Sequence, residues 1–314
     1  LSFQLNYVLG GLSPFGFHLG NVVLHAANAY LAFLLLQTLL KDRSGGSRTS
    51  ATREIAAFTG ALILAIHPLH TEAVVWIAGR KDLLFTFFYV LTLVLYLRGR
   101  EVFGLRGKMY YGASVLCALL AMLSKATAMT LPVVLILIDW FVSVAEVREP
   151  PLRRRIGAIN KIPFFILSLV FAFIALSGKE RIVGSTSLID TGLVAIRSTG
   201  HYLWQLFIPI SFSVFYQQRY PILDVHIFLS LISLLSLISL AWYFRNRKPW
   251  IAFGVFFYLI TLSPTFFNFH KGLISFYAVD RYAYLPSIGI IFLVMHLLHS
   301  FLPQQSSPSS RGGG

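Results

Sequence analysis

The sequence predicts an all-α, polytopic transmembrane helical bundle of about nine to eleven membrane segments. Three observations carry that prediction. The 314 residues are 56% hydrophobic and only 12% charged, where a soluble domain of this size carries about a quarter charged residues. Apolar runs approaching the roughly 17–25 residues of a membrane-crossing helix recur along most of the chain. Loops rich in Lys and Arg separate alternate runs, the bias expected of cytoplasmic loops.

The runs fall at 19–40, 55–66, 83–97, 109–124, 126–144, 162–177, 225–244, 249–264 and 285–302. Several are short, so those helices are expected to extend into flanking motifs or to cross where the bilayer thins. The stretch 191–216 holds Arg197 and His201 among Leu, Trp and Phe, then Pro209. It reads as an interfacial or re-entrant helix. Residues 1–18 read as part of an outer loop, 19–302 as the multi-pass domain, and 303–314 (PQQSSPSSRGGG) as a disordered tail. The chain opens at Leu1 with no signal-peptide pattern, so an upstream piece is expected. The single Cys117 lies in an apolar run and reads as a packing residue, excluding an internal disulfide or a thiolate metal site.

The net charge of +14 would suggest nucleic acid in a soluble protein. Here the basic residues group by topology. Lys41, Arg43, Arg48 and Arg53 form one loop group, and Arg98, Arg100, Arg106 and Lys108 a second. Arg148, Arg153, Arg154, Arg155 and Lys161 form a third, and Arg245, Arg247 and Lys248 a fourth. With Arg311 they hold 17 of the 26 basic residues. Placing all four loops in the cytoplasm gives a consistent zigzag if 191–216 makes an even number of crossings. No nucleic-acid role is expected. The zigzag puts 1–18, 67–82, Lys125, 178–190, 217–224 and 265–284 on the outer face, in a lumen or periplasm.

Ser13-Pro14 is a helix-start signal. After it, His18, Asn21, His25 and Asn28 fall at i, i+3, i+7 and i+10, a polar stripe reaching ~15 Å into the bilayer. Lipid cannot satisfy those groups, so the stripe faces the bundle or a wet cavity. It serves interhelical hydrogen bonding or lines a substrate path.

The segment HPLHTEAVVWIAGRKDLL (67–84) sets His67, His70 and Glu72 ahead of Arg80, Lys81 and Asp82. Pro68 argues against a helical i, i+3 pair of metal ligands and no third histidine lies near, so no metal is expected. Arg80 and Lys81 stand at the outer end of a span, against the positive-inside bias. Cations there suit a phosphate, Arg as a planar donor fork and Lys as a point charge. Lys125 in LSKATAMTLP sits at a tight turn with almost no loop around it. Asp280, Arg281 and Tyr282 in VDRYAYLPSIG repeat acid, base and aromatic at the outer edge. His270-Lys271, Lys179-Glu180-Arg181 and Asp190 read as solvated loop charges.

Basic residues from three outer turns thus converge on one headgroup-level cavity, with Glu72, Asp82 and Asp280 close enough for acid–base chemistry. A lipid-linked phosphate fits such a site. Transporters place charged groups nearer the midplane, on broken helices within repeats, and no clear repeat is visible here. A transporter or flippase of lipid-linked sugars, or a non-catalytic membrane scaffold, is the alternative reading.

FHLGNVVLHAANAYL, HPLHTEAVVWIAGRKDLL, SKATAMTLPVVLILIDW and DRYAYLPSIG occur in that order. Over residues 15 to 290 the chain resembles the transmembrane and tetratricopeptide-repeat-containing O-mannosyltransferases and their bacterial relatives, GT-C glycosyltransferases. The resemblance implies a GT-C-like bundle with its active site on the outer face, in a bacterial inner membrane or the endoplasmic reticulum. It implies a polyprenyl- or dolichyl-phosphate sugar donor, such as dolichyl-phosphate mannose. The implied acceptor is a protein Ser/Thr hydroxyl, or a glycan. The family's acidic motif in the first outer loop, the implied source of the catalytic base, would fall upstream of Leu1. Its tetratricopeptide array does not follow the last span.

With that reading, Arg80, Lys125 and Arg281, and secondarily Lys81, are expected to hold the donor phosphate. Glu72 and Asp82 are the carboxylates expected to take part in catalysis, orienting the acceptor or holding those cations. His18, Asn21, His25, His67, His70, Asp280 and Tyr282 are expected to shape the pocket.

Overall fold

A computed structural model of the chain describes residues 2–41, 50–145, 158–179, 188–217, 224–267, 270–271 and 274–301. The tail at 303–314, the basic residues Arg43, Arg48, Arg148, Arg153, Arg154 and Arg155, and the loop charges Glu180 and Arg181 lie outside the described residues. So do the side chains of Lys179, His270 and Lys271.

In chain order the helices are α1 (Ser2–Gly10), α2 (Pro14–Leu39), α3 (Ser50–Ile66), α4 (Thr71–Val75), α5 (Arg80–Glu101), α6 (Gly104–Ser124), α7 (Leu131–Ala145), α8 (Ile162–Lys179), α9 (Leu188–Phe207), α10 (Val225–Phe244), α11 (Pro249–Leu262) and α12 (Ser287–Phe301). Strands β1 (Tyr216–Gln217), β2 (His270–Lys271) and β3 (Ile274–Ala278) form a small antiparallel sheet in the order β1-β3-β2. Nothing in the periodicity announced that sheet.

Among the described residues, six helical segments are long and apolar enough to cross a membrane: Pro14–Leu39, Ile77–Glu101, Gly104–Ser124, Ala126–Val144, Val225–Phe244 and Pro249–Phe266. The chain is an all-α, multi-pass membrane protein. α3 and Pro68–Val75, bent by 53° at their junction, make a seventh if counted as one span. α8 and α12 are apolar but shorter. α9 is outside that set, because Asp190, Arg197 and His201 interrupt its apolar residues. It is one continuous helix to Phe207, followed by an irregular turn into β1. Residues 1–18, expected as a loop, instead hold α1 and the start of α2.

Helices dominate because hydrocarbon offers no partner for a free backbone N–H or C=O. The bundle is inside out relative to a soluble one in where it leaves apolar surface. α5 lies at its centre with 67% of its apolar window buried, while α10 at the rim buries 17%. Leu35, Tyr89, Leu93, Val134, Ile138, Phe253 and Phe292 fill the core, whereas Phe173, Leu176 and Tyr243 face outward. α11 and α12 cross at two glycines. A Cβ on Gly254 would fall 2.4 Å from Leu293 Cγ and 2.8 Å from the Gly289 carbonyl oxygen. Small residues let backbones approach in this way, and the close approach increases dispersion contact.

α5 carries Asp82 in its first turn and Arg100 in its last, roughly 27 Å apart at 1.5 Å per residue. Its C-terminal end is tied down by Asp139. That carboxylate accepts from Arg100 Nη1 at 2.6 Å and Tyr96 Oη at 2.9 Å, and pairs with Lys161. The Arg98–Lys108 and Lys161 regions therefore share one end of the bundle, as the alternation of basic loops requires.

Candidate functional site

The other end of α5 gathers the outer motifs. Pro68 cannot continue α3, and the chain turns through a 3-10 segment, Pro68–His70, into the short α4. Glu72 lies in the first turn of α4 and Asp82 in the first turn of α5, both favourable against the helix dipole. Lys125 sits in extended backbone (φ −159°, ψ 129°) between α6 and the 3-10 turn Ala126–Thr130. Arg281 lies in the 3-10 turn Asp280–Ala283, just before α12.

Four segments distant in sequence therefore bring together two carboxylates and two cations. Lys125 pairs with Asp82, and Arg281 pairs with Glu72 through Nη1. The Arg281 backbone N–H also donates to Glu72 Oε2 at 2.9 Å. Arg281 Nε lies 3.9 Å from Asp82 Oδ2, beyond hydrogen-bond distance, and both atoms are buried without a hydrogen-bond partner. Aromatic faces cover the cations: Trp76 lies 4.5 Å from Arg281 Cζ, and Tyr282 lies 4.7 Å from Lys125 Nζ. The cavity among Asp82, Lys125, Thr127, Arg281 and Tyr282 is only about 10 Å³, room for about one water. The cluster leaves little free space, and each of its two cations is paired with a carboxylate.

Arg80 does not join it, which corrects the expectation drawn from its position. Its Nε donates to Asn21 Oδ1 at 2.9 Å, and Nη2 to the Phe17 carbonyl at 2.5 Å. Nη1 donates to the Ser2 carbonyl at 3.3 Å and to Asn6 Oδ1. Phe3 packs over the guanidinium at 4.7 Å. The residue is 3% exposed, and four of its five N–H donors hold α1 and α2. Lys81, next along α5, is exposed.

The polar stripe on α2 stitches helices together. Asn21 donates to the carbonyls of Val74 and Trp76 at 3.0 and 3.1 Å, and Asn28 to that of Leu83 at 3.0 Å. His25 Nδ1 lies 2.6 Å from Tyr284 Oη, and its Nε2 lies 3.0 Å from the Ala65 carbonyl. His70 bridges the Leu64 carbonyl (2.8 Å) and Ser287 Oγ (3.1 Å). His67 Nδ1 caps its turn by accepting from Leu69 N–H at 3.2 Å, and Nε2 reaches the Leu206 carbonyl at 3.0 Å. Of these pocket-shaping candidates, His25, His67 and His70 thus have both ring nitrogens engaged within the protein. His18 is half-buried.

Asp280 is 4% exposed. Tyr216 Oη on β1 donates to its Oδ2 at 3.2 Å, while Oδ1 is buried without a partner. Burial, with Glu72 nearby as a second cause, pushes its carboxyl up to about 7, against the hydrogen bond from Tyr216.

Tyr216 links this acid to a feature the motifs did not reveal, a cavity of about 580 Å³ between α9 and α10. In the sequence Arg197 and His201 stand out only as interruptions of an apolar run. Together with Trp204 and Gln205 they follow an i, i+4, i+7, i+8 stripe, and that stripe was the available signal. Arg197 pairs with Asp224 at 3.0 Å, and Asp224 also caps α10 by accepting from Ile227 N–H at 3.1 Å. Trp76, which covers Arg281, was likewise missed.

No protein-family model matches the chain. No solved structure matches it. Among curated proteins, 136 residues, 41% of the chain, are 38% identical to protein O-mannosyl-transferase Tmtc1 of Drosophila melanogaster. A further match of 144 residues, 45% of the chain, is 38% identical to protein O-mannosyl-transferase TMTC2 of Homo sapiens. With protein O-mannosyl-transferase Tmtc2 of Drosophila melanogaster, 143 residues, 44% of the chain, are 41% identical. The matched stretches span 14%, 16% and 14% of those relatives' lengths. Over the matched stretch the chain is similar to the TMTC protein O-mannosyl-transferases, the family its ordered motifs resemble.

Proposed function

We propose that the chain is the membrane part of a glycosyltransferase that moves a sugar, mannose on the resemblance, from a polyprenyl- or dolichyl-phosphate donor to a protein Ser/Thr hydroxyl. Transfer takes place at the face carrying Glu72, Asp82, Lys125 and Arg281, which lies in a lumen or periplasm. The observation that supports this reading is the set of two carboxylates and two cations, Asp82 and Arg281 buried and Glu72 and Lys125 partly so, assembled from four segments at one end of the bundle. The names of the relatives supply the reaction class.

The geometry suits an exchange of partners. Lys125 and Arg281 are held by Asp82 and Glu72 in the closed cluster. A donor phosphate that takes over those cations releases a carboxylate as it binds. The acceptor hydroxyl then attacks the anomeric carbon and a carboxylate accepts its proton. The bond from the anomeric carbon to the phosphate oxygen breaks, and its electron pair leaves with the lipid phosphate. Proton abstraction of this kind contributes about 10²–10⁴-fold, and the fixed cations stabilise the departing anion. The sugar is inverted, because attack and departure occur on opposite faces.

The test is Lys125→Ala in the complete protein, reconstituted in proteoliposomes with a polyprenyl-phosphate sugar and an acceptor peptide. Transfer is expected to fall by at least 100-fold with the protein still folded. Transfer at the unsubstituted rate overturns the assignment.

A further inference from the structure

We propose that the cavity between α9 and α10 is a binding site for a polyhydroxylated ring, a glycosyl group. Its walls combine aromatic faces with hydrogen-bonding edges. Trp204, Tyr216 and Tyr277 supply the faces, and His201, Gln205 and Ser233 are among its polar members. A sugar has the same division, with C–H faces that stack on rings and a rim of hydroxyls that both donate and accept. At about 580 Å³ the space is of the size of a small-molecule site.

Three further observations favour an occupant over an idle void. His201 Nε2 and Gln205 Oε1 are buried in this wall without a hydrogen-bond partner among the described residues, although such atoms are nearly always paired. Ser211, also lining the cavity, is held at φ 58°, the left-handed region that costs a non-glycine residue energy and that recurs at ligand sites. Gly200 brings α10 so close that a Cβ there would fall 2.2 Å from Ser230 Oγ, fixing the two helices that form the walls.

Charge favours a neutral ring over a polyanion. Arg197 is already paired with Asp224. His201 is pushed down to about 4 by burial and by Arg197, so it is neutral at pH 7. The site is separate from the ion-pair cluster but coupled to it, since Tyr216 lines the cavity and donates to Asp280. The choice of a glycosyl group among polyols rests on the proposed function. The existence of a polyol site rests on the cavity alone.

The ring could arrive as the sugar of a lipid-phosphate donor or as part of a glycan acceptor, and two arms of one experiment separate these. The complete protein in nanodiscs is titrated with methyl α-mannoside and a short mannose oligosaccharide in one arm. The other arm uses polyprenyl-phosphate mannose against sugar-free polyprenyl phosphate. Tryptophan fluorescence and saturation-transfer NMR report binding. Gln205→Leu is expected to weaken glycoside binding three- to tenfold, the effect of one neutral hydrogen bond. Ser233→Trp changes an exposed residue and fills the cavity, so it is expected to abolish binding while leaving the melting temperature unchanged. A preference for the oligosaccharide assigns an acceptor, and a preference for the mannosylated lipid over the bare phosphate assigns a donor. Glycoside binding unchanged in Ser233→Trp overturns the proposal, as does binding of bare polyprenyl phosphate with no contribution from the sugar. Loss of transfer in Lys125→Ala with cavity binding retained supports both readings. Unchanged transfer in that variant with binding retained overturns the proposed function alone.

Discussion

Arg80→Met should detach α1 from the bundle without emptying a phosphate site. α1 buries none of its residues, so its attachment depends on a few contacts at its edge. Two of them come from Arg80, whose Nη1 donates to the Ser2 carbonyl at 3.3 Å and to Asn6 Oδ1. A hydrogen bond from a charged donor contributes about 1.5–3 kcal/mol, so the pair holds α1 by about 3–6 kcal/mol. Asn6 Nδ2 still donates to the Gly16 carbonyl at 2.8 Å in the variant, and Phe3 still meets Phe17. The lower figure is therefore the one to expect. At tenfold per 1.4 kcal/mol, 3 kcal/mol corresponds to opening of α1 on the order of 100-fold more often. Hydrogen exchange by mass spectrometry on the peptide covering residues 2–10, in nanodiscs, reads this directly. Methionine keeps the unbranched stem, so lost packing is a small part of the effect. Unchanged exchange in α1, together with a large loss of polyprenyl-phosphate affinity, would show that Arg80 holds the donor and that the reasoning from its hydrogen bonds is wrong.

Three other outcomes follow from the same structure. Asp280 has a folded-state value near 7 against an ordinary 3.8, so the folded protein holds that proton more tightly. This stabilisation is fully present below about pH 3.8 and is lost as pH rises towards 7. Asp280→Asn should therefore melt higher than the parent at pH 8, by on the order of 3 kcal/mol, with the difference shrinking by pH 5. A parallel pH dependence in the two proteins would contradict the burial argument. Asp139→Asn leaves Arg100 and Lys161 buried without their carboxylate; thermal unfolding in detergent should show a loss of about 3–5 kcal/mol, and a neutral result would mean water reaches that end of the bundle. Gly254→Ala places a methyl 2.4 Å from Leu293 Cγ and should cost about 1–3 kcal/mol by overpacking, unless a calorimetric scan shows the melting temperature unmoved.

The sequence by itself determined the solvent and most of the helices. An apolar run must become a helix in hydrocarbon, and the run at 225–244 coincides with α10 as observed. The interruptions at His67-Pro68 and Lys125 also appear as breaks, because proline and a charge each stop a span for a local reason. The alternation of basic loops put Glu72, Asp82, Lys125 and Arg281 at one end of the bundle together with Arg80, which the structure gives other partners. Tertiary structure alone decided which charge meets which. Arg80 and Asp82 are two positions apart on α5, yet their side chains take up different partners. One takes neutral acceptors on α1 and α2, and the other pairs with Lys125. Helical periodicity separates adjacent residues by about 100°, but it does not say which helix each direction meets. The α9–α10 cavity was hidden for a related reason. A void is a property of how two helices fail to touch, and the Gly200–Ser230 contact that sets their separation joins residues thirty positions apart.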